Sequence, residues 1–172
     1  MAVNSFLIAG PATLYLARAT EDMDQRQAVG ISREGFQVEL QIRLQPIATD
    51  VYAGDEQLPA DIQYVGELAL VRGQLIQIDS TVLHERVFGR FPDKQPGQTL
   101  TPGTLLFANN KYWKAWIEGA YEQWYFPRAV FGENITVPLG TRASYIDIAF
   151  VAYPVEGVVF QRNTSNTTTT TA

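Results

Sequence analysis

The sequence predicts an all-β fold with one short helix, arranged as an antiparallel β-sandwich or barrel. Three observations carry that prediction. Residues 36–45, FQVELQIRLQ, alternate apolar and polar without a break, the period-two signature of a strand with one buried and one wet face. Other apolar stretches rich in valine, isoleucine and aromatics are short and set apart by turn residues such as Gly10-Pro11, Glu34-Gly35 and Gly140, which is strand punctuation. Only residues 80–87 read as a compact helix, with Ser80 as N-cap and Gly89 as the stop.

Taken in order, residues 12–17 form a first short strand and residues 21–27 a polar connection. Residues 29–31 lead through the turn at Glu34-Gly35 into the long strand. At a rise of about 3.3 Å per residue that strand spans about 33 Å. Its period places Phe36, Val38, Leu40, Ile42 and Leu44 on a core, and Gln37, Glu39, Gln41, Arg43 and Gln45 in water. Pro46 is expected to end it, because proline donates nothing to a ladder. Residues 50–61, rich in Asp, Gly and Pro, are a loop. Residues 68–71 and 75–78 flank Arg72-Gly73-Gln74, as two strands or as one strand and the entry to a helix. Residues 91–103 form a long loop of the kind that often makes contacts.

Residues 112–126 fit two patterns. Trp113, Trp116, Ile117, Ala120, Tyr121 and Trp124 fall at helical spacing, but Gly119 costs about 1 kcal/mol in a helix interior and aromatics favour strands. A hairpin bending near Gly119 is the preferred reading. Residues 127–137 continue as irregular strand, residues 139–142 turn, and residues 144–153 form a strand with Ile146, Ile148 and Phe150 on one face. Residues 155–160 read as the last element. A single domain over residues 1–160 is expected, followed by a threonine-rich tail over residues 161–172 whose low complexity suits disorder or an extended arm.

Composition narrows the function. Thirteen Lys and Arg against eighteen Asp and Glu leave a net charge of −5, and the cations are scattered. Tight nucleic-acid binding asks for a basic face, whereas an acidic surface repels the polymer and prevents sticking. No apolar run is long enough to cross a membrane, and the first ten residues lack the basic segment of a secretion signal. The chain has no cysteine, which fits a reducing compartment and removes disulfide and thiolate chemistry.

No motif reads as a reaction centre. His84, the only histidine, is followed by Glu85 but has no second histidine four residues on, so the zinc-protease pattern fails. No Gly-x-Ser-x-Gly elbow accompanies it, and a surface or half-buried histidine is the reading. Glu21, Asp22 and Asp24 crowd carboxylates as calcium sites do, without the glycine and distal glutamate of the twelve-residue loop; a solvated acidic loop is expected. The same holds for Asp50, Asp55, Glu56 and Asp61. The aromatic group around Trp113, Trp116 and Trp124 could stack on sugars or line an interface, against the plainer reading of core packing. Glycosylation triplets begin at Asn134, Asn163 and Asn166, and are read as chance. No catalytic residue, metal site or cofactor is assigned.

The order of the pieces resembles phage tail tube (major tail) proteins. The similar pieces are the early Gly10-Pro11 strand, Val29-Gly30-Ile31 and Glu34-Gly35 opening the long alternating strand, then Asp50-Val51-Tyr52-Ala53-Gly54, Leu58-Pro59-Ala60-Asp61 and Gly66-Glu67-Leu68. Phe126-Pro127-Arg128-Ala129-Val130 and the strand of residues 144–150 close the pattern. The resemblance covers roughly residues 10–153. It implies a virion structural protein, made in the host cytoplasm, whose copies form hexameric rings that stack into a tube. Strands of all subunits close an inner β-barrel through which DNA passes during ejection. No enzymatic activity or cofactor is implied. The partners are other copies of the chain, with tape-measure, sheath, neck or baseplate proteins beside them. On this reading Gln37, Glu39, Gln41, Arg43 and Gln45 face the lumen, and Asp50, Tyr52, Asp55, Glu56 and Asp61 make contacts between subunits. Two alternatives stand beside it: a capsid decoration, neck or baseplate protein, and a carbohydrate-binding module using Trp113, Trp116 and Trp124.

Overall fold

The computed structural model describes residues 4–47, 52–53, 56–57, 61–132 and 145–164. The strands are β1 (Asn4–Ala9), β2 (Ala12–Arg18), β3 (Gln27–Ser32), β4 (Gly35–Ile47), β5 (Tyr52–Ala53), β6 (Glu56–Gln57), β7 (Asp61–Leu75), β8 (Gln77–Ile78), β9 (Trp113–Glu118), β10 (Glu122–Val130), β11 (Ile146–Ala152) and β12 (Gln161–Thr164). A 3₁₀ turn at Met23–Gln25 joins β2 to β3. One helical turn, α1 (Ser80–Val82), runs on as a π-helical turn at Leu83–Phe88. All strand pairings are antiparallel, so the expected class, all-β with one short helix, holds.

The pairings return to their starting strand. β2 pairs β3, β3 pairs β8, β7 pairs β11, β11 pairs β10, β10 pairs β9, and β9 pairs β2. β8 follows β7 after the single residue Ile76, whose N–H donates to the Ile31 carbonyl at 2.9 Å. The result is a closed barrel, and closure removes the open edges that a sheet otherwise presents. Leu14, Leu16, Val29, Val71, Leu75, Ala115, Ile117, Phe126, Ile148 and Phe150 belong to its core. Phe126 and Phe150 meet edge to face at 5.5 Å, the arrangement that aromatic quadrupoles favour.

Two bent strands extend this barrel. β1 pairs β4 and β2 pairs β3, so residues 4–18 and 27–47 form one hairpin folded at a corner. Gly10 and Gly35 make the corner. Gly35 has φ +96°, and a Cβ there would overlap the Ile8 carbonyl oxygen, while one on Gly10 would overlap that of Arg33. Only glycine fits a left-handed backbone under such close approach. Ser32 Oγ donates to the Gly35 carbonyl at 2.7 Å and accepts from its N–H at 3.1 Å, which satisfies the buried backbone at the bend.

Several elements differ from the sequence reading. β1 lies ahead of the first expected strand, at the edge of the sheet beside β4. Pro46 does not end β4; it pairs opposite Ile62, and among the described residues nothing pairs β4 on the β1 side beyond Leu40, where a proline costs no ladder bond. Arg72-Gly73-Gln74 lies inside the continuous strand β7 rather than at a break. The N-cap of α1 is Asp79, not Ser80: its Oδ1 accepts from the N–H groups of Thr81 and Val82 at 3.0 and 3.1 Å. Residues 112–126 form the hairpin β9–β10, turning at Gly119, whose N–H donates to the Glu122 carbonyl at 2.9 Å. The first residues assigned to the tail are strand: β12 pairs residues 122–125 of β10, and Arg162 Nε donates to Glu122 Oε2 at 2.7 Å. The expected turn at residues 139–142 lies outside the described residues.

Candidate functional site

The long strand pair β4–β7 outlasts its neighbours. Among the described residues, the β1 pairing of β4 runs to Leu40 and the β11 pairing of β7 to Ala69. Past those points, among the described residues, residues 41–47 and 61–68 pair only with each other, as a two-stranded arm. A β-bulge falls in it, because Val65 is the extra residue between Gly66, opposite Arg43, and Tyr64, opposite Leu44. Bulges increase local twist and re-aim the side chains beyond them.

The register sorts the arm into two faces. Ile42, Leu44 and Pro46 share one with Glu67, Tyr64 and Ile62. This face continues the one that buries Phe36 and Val38 in the body. The expectation that Ile42 and Leu44 lie in the core is therefore corrected: they are 45% and 58% exposed, with Tyr64, opposite Leu44, 59% and Ile62, opposite Pro46, 56% exposed. Their period is that of core residues, but no described strand covers them. A run of large apolar side chains exposed on a projecting element marks an interaction surface.

The second face carries the predicted polar row. Gln37, Glu39, Gln41, Arg43 and Gln45 stand on one side of β4, beside Arg72 and Gln63 of β7, with the buried Leu70 and Leu68 opposite Glu39 and Gln41 on the same face. Gln41 Nε2 donates to Glu39 Oε1 at 3.2 Å. A shallow cavity of about 460 Å³ on this side is lined by Glu34, Gln37, Arg72, Gln74 and Asp147 among others, with both signs of charge and amides between them. Such a surface offers no concentrated positive field to a phosphate backbone.

Of the residues assigned to subunit contacts, Tyr52 lies on β5 and Glu56 on β6, which form a two-residue ladder. Asp61 opens β7 opposite Ile47, and its carboxylate accepts from the Ile62 N–H at 2.7 Å. Asp50 and Asp55 lie outside the described residues.

The tryptophans are placed in the body. Trp113 and Trp124 belong to the core, and Trp116 is buried on the outer side of β9. There it stacks on Tyr125 at 4.9 Å, and Arg26 lies over Tyr15 at 4.6 Å and over Trp116 at 6.0 Å. None of the three presents an open ring face on which a sugar could stack, so the carbohydrate-binding reading loses the residues that suggested it. Burial also pushes the Tyr125 hydroxyl above the ordinary phenol value, with Tyr112 adding to it.

An ion network at one end of the barrel was not legible in the sequence. Arg86, on the π-helical turn, is buried. It donates to Gln27 Oε1 at 2.9 Å, to the Leu16 carbonyl at 2.8 Å and to Glu21 Oε2 at 3.1 Å, with its guanidinium 5.5 Å from the Trp113 ring. Glu21 is thus the counter-ion of a buried cation and not part of a solvated acidic loop. The available signal was Arg86 standing beside Leu83 and Val87 on the helix face that enters the core. A buried guanidinium requires acceptors on several sides. Removing it strands Glu21 and a buried carbonyl, so Arg86→Met should destabilise the fold by about 3 kcal/mol. A lysine there should not restore it, because one ammonium cannot span the same partners. Urea midpoints at an unchanged m-value will read both.

The loop between the helix and β9 is held by Asp93, which meets Arg18 at 3.1 Å and Lys111 at 3.0 Å. The hydrogen bond from Lys111, with the charges of Lys111 and Arg18, holds its carboxyl below the ordinary 3.8. A depressed folded value means that this stabilisation is present above the unfolded value and is lost as pH falls through the folded one. Asp93→Asn should therefore flatten the acid limb of the stability curve below about pH 4, by less than about 1 kcal/mol because the pair is solvent-screened. Thermal melts between pH 2 and 7 will show it.

No family model matches this chain, and no curated protein is significantly similar to it.

Proposed function

We propose that this protein is a self-assembling structural subunit of a phage tail tube, with the β4–β7 arm as its assembly element and its polar row toward the channel. The observation that carries the reading is the arm itself: a strand pair with one apolar face, one largely polar face and, among the described residues, no strand on either edge. An isolated two-stranded ribbon is marginal in water, and unpaired edges with exposed isoleucine, leucine and tyrosine are a liability that assembly removes. Neighbouring arms joined edge to edge would form a common inner wall, dry against the subunit bodies and wet toward the lumen. The mixed, mostly amide lining and the net negative charge suit passage of DNA without adhesion.

Negative-stain electron microscopy and sedimentation of the purified protein test this directly. Rings or tubes with an open channel are expected. A monomer that persists at millimolar concentration and does not add to phage tails would overturn the reading. Antibody label confined to heads, necks or baseplates of virions would move the protein to one of those places instead.

A further inference from the structure

A polar cavity of about 420 Å³ opens at the end of the barrel where Arg86 is buried, between the end of β2, the start of β3, the π-helical turn and the loop that follows it. Arg86 lines this cavity and is 6% exposed. Its Nε and Nη1 donate to Gln27, the Leu16 carbonyl and Glu21, but among the described residues no hydrogen bond uses Nη2. Nor is Nη2 among the polar atoms sealed off without a partner. Its two N–H groups therefore open on the cavity. Two further donors stand free there. Gln27 accepts from Arg86 through its carbonyl oxygen, which leaves its amide N–H groups to donate. Lys94 lines the cavity half-buried, and no ion pair among the described residues engages it. The carboxylates are mostly engaged. Glu21 lies between Arg86 and Arg18, and Asp93 between Arg18 and Lys111. Glu85, exposed in the lining, is the carboxylate left without a cation among the described residues.

We infer that this cavity binds an oxyanion group, a phosphate or a carboxylate, on Arg86 Nη2 with Gln27 and Lys94. The inference goes beyond the tube reading and does not depend on it. The unused chemistry is donor chemistry, supplied by three separate elements, and two of the donors are cationic. A buried guanidinium with an open pair of N–H groups calls for an acceptor, and hydrogen bonds between ionised partners are the strong ones. A cation would find only Glu85 free to meet it. The receptor is also held in place before any ligand arrives. Three acceptors fix the Arg86 guanidinium, and the Trp113 ring lies 5.5 Å from it. The loop that carries Lys94 is tied down by Asp93, and it packs so closely on Gly89 that a Cβ there would stand 2.5 Å from the Lys94 carbonyl oxygen. A site fixed in this way loses little freedom on binding.

Inorganic phosphate is the probe, titrated into the full chain against chloride at constant ionic strength. Calorimetry should show saturable binding, with amide shifts centred on Gln27, Arg86 and Lys94. Phosphate also stabilises proteins generally, through exclusion from their surfaces. That effect does not saturate and is blind to single residues, so the variants decide. Lys94→Gln should weaken phosphate binding by about tenfold or more. Glu85→Gln, which removes the opposing charge, should tighten it by about threefold. Both variants should keep the parent's urea midpoint in chloride, which Arg86 variants cannot do. Acetate titrated in the same way separates the two sources: tighter acetate assigns the site to a carboxylate, tighter phosphate to a phosphate. No saturable binding of either anion, or equal affinities in the parent, Lys94→Gln and Glu85→Gln, would overturn the inference.

Discussion

Leu44→Asp combined with Ile62→Asp should leave the barrel folded and stop the protein from assembling. Both side chains are more than half exposed in the single chain, on the same apolar face of the arm. Surface changes of this kind alter fold stability by about 0.5 kcal/mol or less, so the urea midpoint and the m-value should match the parent. On the proposed assembly the same positions would meet another copy's surface, and a carboxylate placed there would be desolvated without a partner. A loss above about 2 kcal/mol per site amounts to at least a thousandfold rise in the concentration required for assembly. Analytical ultracentrifugation of the parent and the double variant at matched concentrations will measure it. Normal rings from the double variant would mean that the arm's apolar face is not an interface.

Gly35→Ala should cost the fold about 4 kcal/mol or more, the largest effect expected from a single methyl group in this protein. Two terms add. The backbone at φ +96° is strained for any residue with a Cβ, and the new methyl would overlap the Ile8 carbonyl that closes the corner. Relief requires β1 to move away from β4, which breaks the ladder from Ala9 onward. Gly132→Ala is the control, because a Cβ there meets no atom within 4 Å and its φ is not in the left-handed region. That variant should melt within a degree or two of the parent. If Gly35→Ala also does so, the corner is more compliant than its geometry implies.

What the sequence made legible follows from locality. The alternation of residues 36–45 assigned every side chain of β4 to its correct face, because the two faces of a strand depend on the pleat alone. It could not say that Ile42 and Leu44 emerge from the body, since that depends on where β1 and β11 stop, and those strands are distant in sequence. Pro46 was misread for the same reason: whether a proline breaks a ladder depends on whether a neighbour lies on its nitrogen side. Gly119 separated hairpin from helix because its cost in a helix is local. Glu21 and Arg86 lie 65 residues apart, and only closure of the barrel brings the acid to the cation. Asp79 displaced Ser80 as the cap through the short reach of its own carboxylate, a competition between adjacent residues that composition does not settle. The polar row was legible as a face, and the arm as a projection was not.

The pairing of β4 on β7, which runs from Phe36 opposite Gly73 to Ile47 opposite Asp61 with one bulge at Val65, also has a mechanical meaning. Ladder hydrogen bonds lie perpendicular to the strands. Tension applied to the arm along its length pulls β4 and β7 the same way, so it loads the β1–β4 and β7–β11 ladders in shear, and their bonds must fail together instead of opening one after another from an end. The same tension passes through β7 into β11 and through β4 into β1, so a pull on the arm is spread over four strands before it reaches the core. A subunit built in this way would resist stretching along β4 far better than peeling across it, and a structure assembled along that direction would be stiff on its axis.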